Sequence, residues 1–210
     1  MRAVTAVIVG AALVWPSLSD AQKLEQAKSW DIGDKVVINW TLNNKTQKVE
    51  NEATAVDGEQ VTAVTRIAGK EYPLVSIRPG VITQGVCMSN GQPCTFSPAL
   101  GLVEFPLEKG KKWTVSMTVK GETFTSQVES ERQVEKVEKV KVPAGEFEAY
   151  RIAHSGRIRG TDPKGTAFSG KEDGRYWVST VNGKLVVVKS EYRNTFGEKF
   201  SEEMVSAALK

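Results

Sequence analysis

The sequence predicts an all-β domain, an antiparallel meander rolled into a barrel or half-barrel. Two observations carry this. Runs of alternating residues recur along the chain, as where Val36, Ile38, Trp40 and Leu42 are set against Val37, Asn39 and Thr41, the period-two pattern of a half-buried strand. Turn chemistry separates the runs, with Asn43-Asn44, Asp57-Gly58 and Asn182-Gly183 the clearest cases, and such dipeptides favour tight hairpins. About ten short strands follow from this spacing, which suits a rolled-up meander.

After Asn43-Asn44 a weaker strand passes through Val49, Asn51 and Ala53, and Asp57-Gly58 leads into Val61, Ala63, Thr65 and Ile67. Gly69-Lys70 turns the chain before Tyr72–Ile77. Between Pro79 and Pro106 the pattern loosens into glycines, prolines and two cysteines, giving either a long ordered loop or short edge strands. Regularity returns at Trp113, Val115, Met117 and Val119, and Lys120-Gly121 turns into Phe124, Ser126 and Val128. Val134, Val137 and Val140 fall three apart, yet their β-branched character argues for a strand with an irregularity. Asp162-Pro-Lys-Gly165 is a turn, and Tyr176-Trp177-Val178 runs to Asn182-Gly183 and on to Leu185–Val188 and Tyr192. In Lys199–Leu209 the alternation of Phe200, Glu202 and Met204 is imperfect, and a final strand is expected over a short helix. Gly33–Thr41 and Gly110–Thr118 echo each other, each a glycine before a strongly alternating strand, suggesting a duplicated unit.

The chain start has the form of a secretory signal. Met1-Arg2 is basic, Ala3–Trp15 is apolar, Pro16 breaks the run, and Ser19-Asp20-Ala21 places small residues for cleavage. The apolar run is short for a membrane span, and no cysteine follows it to take a lipid anchor. Residues 1–21 are therefore expected to be a cleaved signal peptide and 22–210 a single domain, periplasmic or secreted, with no transmembrane segment in the mature chain. The net charge of +3, from 28 basic and 25 acidic side chains, is spread along the strands in both signs. Nothing in it calls for nucleic acid or another polyanion.

Cys87 and Cys94 are the only cysteines. In an exported protein they read as a structural disulfide around a small loop. Six intervening residues do not match a redox-active pair, and two cysteines with the single histidine, His154, make a poor zinc set. Glu172-Asp173 falls far short of the oxygens calcium needs. With one histidine and no serine–aspartate pairing to argue, a hydrolytic triad has no support. No cofactor, metal or catalytic residue is expected. Trp30, Trp40, Trp113 and Trp177 read as core anchors, the mixed-sign run Glu131–Lys141 as a solvated strand face, and Arg151, Arg157, Arg159 and Arg175 as exposed strand residues that need no ligand.

The most informative stretch is Val140–Ile152, Val-Lys-Val-Pro-Ala-Gly-Glu-Phe-Glu-Ala-Tyr-Arg-Ile. Its Pro-Ala-Gly break has β-turn chemistry, with proline presetting the second turn position and glycine closing it. A three-residue loop would mix charged and apolar residues on one face. A four-residue loop sets Val142 opposite Phe147 and Val140 opposite Ala149, which keeps the apolar residues together. Beyond it Tyr150, Ile152 and His154 share the other face, so the strand is apolar on both sides and sits centrally. That arrangement raises an enclosed cavity, with Tyr150, Ile152, His154 and Trp177 as its candidate lining. A bulge near Ala149 that swaps the faces would explain the pattern equally well.

The V-x-V-P-A-G-x-F-x-A hairpin, following Phe105-Pro-Leu107 and Gly110-Lys-Lys-Trp113 and preceding Tyr176-Trp177 and Asn182-Gly183, resembles a motif of uncharacterised bacterial envelope proteins of the domain-of-unknown-function class. Ser179-Thr180-Val181 departs from it, since such proteins often carry a proline before the glycine. The resemblance implies an exported antiparallel β-protein and brings no catalytic residues. The functional expectation is a non-enzymatic module for an apolar or amphipathic, lipid-like envelope ligand. The alternative is an assembly partner that uses an exposed strand edge or the disulfide loop.

Overall fold

A computed structural model describes residues 23–87 and 92–210; the signal-peptide reading of residues 1–21 lies outside them. Twelve strands run through the described residues. They are β1 (Lys35–Leu42), β2 (Lys45–Asp57), β3 (Gln60–Ile67), β4 (Lys70–Arg78), β5 (Val81–Val86), β6 (Pro93–Gly101), β7 (Lys112–Gly121), β8 (Thr125–Val142), β9 (Gly145–Thr161), β10 (Ala167–Val181), β11 (Lys184–Asn194) and β12 (Lys199–Ala208). Each pairs antiparallel with its sequence neighbours, and β12 pairs back to β1. The barrel is closed.

Closure bears on the expected strand edge. Among the described residues every strand has a neighbour on each side, although the β6–β7 ladder covers only Cys94–Ser97 and the β11–β12 ladder only Lys189–Arg193. The loose stretch 79–106 supplies β5 and β6, which lie inside the sheet between β4 and β7, and Lys199–Leu209 is largely β12 as expected. The two echoing segments, Gly33–Thr41 and Gly110–Thr118, become β1 and β7, six strands apart around the ring.

Turn chemistry fixes the register. Asn43-Asn44 (φ 48° and 68°), Ala68-Gly69 (49° and 77°) and Asn182-Gly183 (53° and 81°) form two-residue turns in the left-handed region, whose twist matches that of the flanking strands. Side chains then alternate. Val36, Ile38, Val49, Thr65 and Ile67 face inward, whereas Lys35, Glu50, Glu52 and Arg66 face outward in an ion-pair network that Glu71 joins. Along this arc the wall is apolar inside and charged outside, the reverse of the pattern of a membrane-spanning barrel.

The hairpin of β8 and β9 is tighter than the parity argument suggested. Val142 pairs with Gly145 and Val140 with Phe147, leaving a two-residue loop, Pro143-Ala144. Loops of two and four residues share the same parity, so the apolar face was legible while the loop length was not. The irregularity expected along Val134–Val140 is a bulge at Glu135, on β8 and not near Ala149. Pairing of β11 with β12 stops at Lys189 and Glu203. Below that point the hairpin tip fills the opened seam, with the Ala144 N–H donating to the Met204 carbonyl at 3.0 Å. Val140, Val142, Ala149, Val186, Val188 and Met204 form one apolar cluster there, which is why β9 is apolar on both faces.

One end of the barrel is closed by the chain before β1. Leu24 bridges to Leu107 in the β6–β7 connection, Lys28 bridges to Lys184, and the Trp30 indole donates to the Leu185 carbonyl at 3.1 Å. Beneath this strap Val134, Ile152, Val178 and Leu107, all fully buried, make a solid core. Two buried ionic groups tie the strap down. The Lys184 ammonium bonds Asp34 and, at 2.7 Å, Asp31. Asp34 also accepts from the Asp31 N–H at 2.7 Å and the Lys210 N–H at 2.9 Å. Burial alone would push the Asp34 carboxyl up, but these bonds outweigh it and hold it below the usual value. The opposite end carries the Cys87–Cys94 disulfide, Cα atoms 5.5 Å apart.

The cavity inside the barrel

Beside the solid core the barrel is hollow, from the strap residues Lys28, Ser29 and Trp30 to the far end. The space is about 720 Å³, within the range of sites that enclose one small ligand. The far end brings Phe124, Phe168 and Phe196 to its lining, and Phe168 meets Phe196 edge-on at 5.7 Å. Phe196 is 47% exposed, so this end of the lining reaches the surface.

The two halves of the wall differ. Strands β2–β7 contribute Val49, Ala63, Ile67, Leu74, Ile82 and Val119, with the Asn51–Thr65 pair satisfied internally at 2.7 Å. Strands β8–β12 and β1 contribute a polar belt. Arg132 of β8 pairs with His154 of β9, Gly174 of β10 lies between His154 and Tyr192 of β11, and Tyr176, Ser190, Glu202 and Trp40 follow in adjacent register. Gly174 permits this contact. A Cβ there would stand 2.3 Å from the Glu191 carbonyl and 2.5 Å from His154 Nε2, so only glycine lets the imidazole stack on Tyr192, centroids 6.0 Å apart and 13° between planes. The other flank of His154 meets Tyr176 at 5.9 Å.

Burial governs the electrostatics of the belt. It lowers the His154 pKa to about 4, helped by the Arg132 charge and opposed by Asp173. It raises Glu202 to about 7, with a weak opposing contact from the Ser190 hydroxyl. Glu172 is also raised by burial, against the pull of Arg132 and a 3.3 Å bond from the Tyr192 hydroxyl. At neutral pH His154 is therefore uncharged. Arg132, only 6% exposed, spends Nη1 on the Gly101 carbonyl at 2.9 Å and the Tyr176 hydroxyl at 3.1 Å, and Tyr176 in turn donates to the Leu102 carbonyl. Trp40 Nε1, Arg132 Nε and His154 Nδ1 are buried with no partner. Most buried polar atoms are paired, so several orphans around one hollow need a reason.

Of the four candidate lining residues, His154 alone lines the cavity. Tyr150 and Ile152 share its face but belong to the solid core beside it. Trp177 lies outside the cavity, buried in the second apolar cluster, and donates to Glu138 at 2.9 Å beneath the Lys189 ammonium. The adjacent acids Glu172 and Asp173 diverge, one into the cavity and one outward to Arg193 at 2.9 Å. Among the described residues no cluster of His, Cys, Asp and Glu could hold a metal. Arg151 and Arg175 both face Glu135. Sequence reasoning missed Arg132 by treating Glu131–Lys141 as one solvated face. Its phase with Ser126, Val128, Ser130 and Val134, all buried, was the available signal. Glu202 was visible as the flaw in the Phe200–Met204 alternation.

No family model matches the chain, and no curated protein does. Among solved structures it is similar to a protein from Parabacteroides distasonis described as a lipoprotein, 13% identical, with a TM-score of 0.54 over 89% of this chain and all of that one. An exported protein with YmcC-like fold from Bacteroides fragilis aligns at 14% identity and TM-score 0.48, covering 88% and 99% of the two chains. The hypothetical lipoprotein YmcC of Escherichia coli aligns at 13% and 0.46, covering 82% and 84%. At such identities the likeness to the Parabacteroides protein is one of fold.

Proposed function

We propose that this chain is an exported, non-enzymatic binding module that encloses one amphipathic small molecule of the cell envelope. The observation that carries the reading is the hollow itself, about 720 Å³ with an apolar wall facing a belt of underused polar groups. A folded domain closes space that nothing fills, because side chains around a void forgo the dispersion attraction of close packing; a ligand with an apolar body and a polar end matches both walls. Export is supported by the signal-like start and by the disulfide, a bond of oxidising compartments. A binding role is favoured over an enzymatic one by the setting of His154. It sits between two tyrosines, and no carboxylate or serine hydroxyl bonds it among the described residues, so the nucleophile–base–orienter geometry of a triad is missing.

The test is titration with an environment-sensitive apolar fluorophore. The wild type should saturate at one probe per chain. Ala63, 2% exposed on the apolar wall, is the site to block, and Ala63→Trp should weaken uptake at least tenfold while the melting temperature moves by only a few degrees. Unsaturable binding, or uptake unchanged by Ala63→Trp, contradicts the reading.

A further inference from the structure

We propose that the ligand is a single-chain fatty acid whose carboxylate is received by the Arg132 guanidinium while its hydrocarbon lies against the β2–β7 wall. This rests on the binding-module reading and names its ligand class. Three observations lead to it.

First, Arg132 is a buried charge whose nearest interacting carboxylate, Glu172, acts on it only from beyond ion-pair distance. No ion pair among the described residues includes it, although Arg66, Arg151, Arg175 and Arg193 each have one. Its two bonds both leave from Nη1 and go to neutral oxygens, and Nε has no partner. A guanidinium has five donors arranged to meet a carboxylate side-on, and burying it unpaired is costly. An anion resolves that cost. The Tyr176 bond and the Tyr176 ring beneath the guanidinium, 5.6 Å from Cζ to centroid, hold Arg132 in place for it.

Second, the charge count favours a monoanion. Arg132 is the one cation of the polar belt, since His154 is neutral, and Glu172 stands close enough to feel its charge. A phosphate monoester would bring a second negative charge toward Glu172, whereas a carboxylate brings one. Third, the volume of about 720 Å³ accommodates a single long hydrocarbon chain and lies within the range of sites that enclose one small ligand.

The experiment compares three sixteen-carbon probes on the delipidated mature protein: palmitate, hexadecanol and hexadecyl phosphate, each by displacement of the fluorophore. A charge-assisted bond in place of a neutral one should make palmitate bind about 10- to 100-fold tighter than hexadecanol, and tighter than the phosphate. Arg132→Met should bring acid and alcohol together by weakening the acid alone. Tyr176→Phe, which keeps the ring and removes the hydroxyl that orients Arg132, should narrow the ratio severalfold, and it decides the matter should Arg132→Met not fold. Equal binding of acid and alcohol by the wild type overturns the fatty-acid assignment and leaves the cavity reading standing. Preference for the phosphate also overturns it, pointing to a phosphorylated amphiphile. No displacement by any of the three overturns both.

Discussion

Asp34→Ala should destabilise the protein by about 3–5 kcal/mol, lowering the melting temperature by roughly 10 °C. The substitution leaves the Lys184 ammonium, 3% exposed, without its buried partner, since Asp31 is two-thirds exposed and a weak substitute. It also strips the acceptor from the Asp31 and Lys210 N–H groups. These losses fall on one place, where the strap before β1, the start of β11 and the C-terminus meet. Removing the charge as well separates the causes. Asp34→Ala with Lys184→Met should recover much of the loss, because an unpaired buried charge costs more than a missing pair. Thermal or urea unfolding of the two variants checks this. A double variant no more stable than Asp34→Ala would show that backbone bonds to Asp34, not the charge of Lys184, hold the strap.

The second large effect is hidden in the wild type. His154 has a folded pKa of about 4 against 6.5, so between those values the unfolded chain holds the extra proton, and stability falls as pH falls through that window. Glu202 has a folded pKa of about 7 against 4.5, so the folded chain holds the extra proton, and stability falls as pH rises through its window. Each displacement corresponds to about 3 kcal/mol, and over about pH 4.5–6.5 the two slopes cancel. The charges acting on His154 are Arg132 and, in the opposite sense and from the outer face, Asp173, while Tyr176 and Tyr192 flank its ring. Substitution exposes the slopes singly. His154→Gln should lose stability from pH 4.5 to 7, and Glu202→Gln should lose it from pH 6.5 to 4. Differences from the wild type across a pH series of urea unfolding curves are the readout, because Asp34, Glu50, Glu52 and Glu138, whose lowered pKa values also shape the acid limb, cancel in them. Variants with parallel profiles would contradict the burial of both groups.

The fold was largely legible because alternation and turn dipeptides are local. Val36–Leu42 and Asn182-Gly183 declare their strand and turn without reference to the rest of the chain. What escaped depends on curvature and closure. Whether Tyr150 and Ile152 meet a solid core or a hollow is decided by how far the strap and the β6–β7 connection reach in, and strand phase does not contain that. The phase itself was right, since His154 lies on the inward face with them. Trp177 is a buried core residue as its aromatic character suggested, but its phase, opposite to Tyr176, puts it in the second apolar cluster under Lys189 and away from the cavity. The polar belt was written as exceptions: Arg132 interrupts an inward row and Glu202 interrupts Phe200 and Met204.

The most direct test of the account is native mass spectrometry of the mature protein purified from the envelope without detergent. The account predicts a one-to-one adduct of a few hundred daltons on the wild type and its absence from Ala63→Trp. Bare polypeptide mass in both, with no uptake of added amphiphile by the wild type, would contradict it.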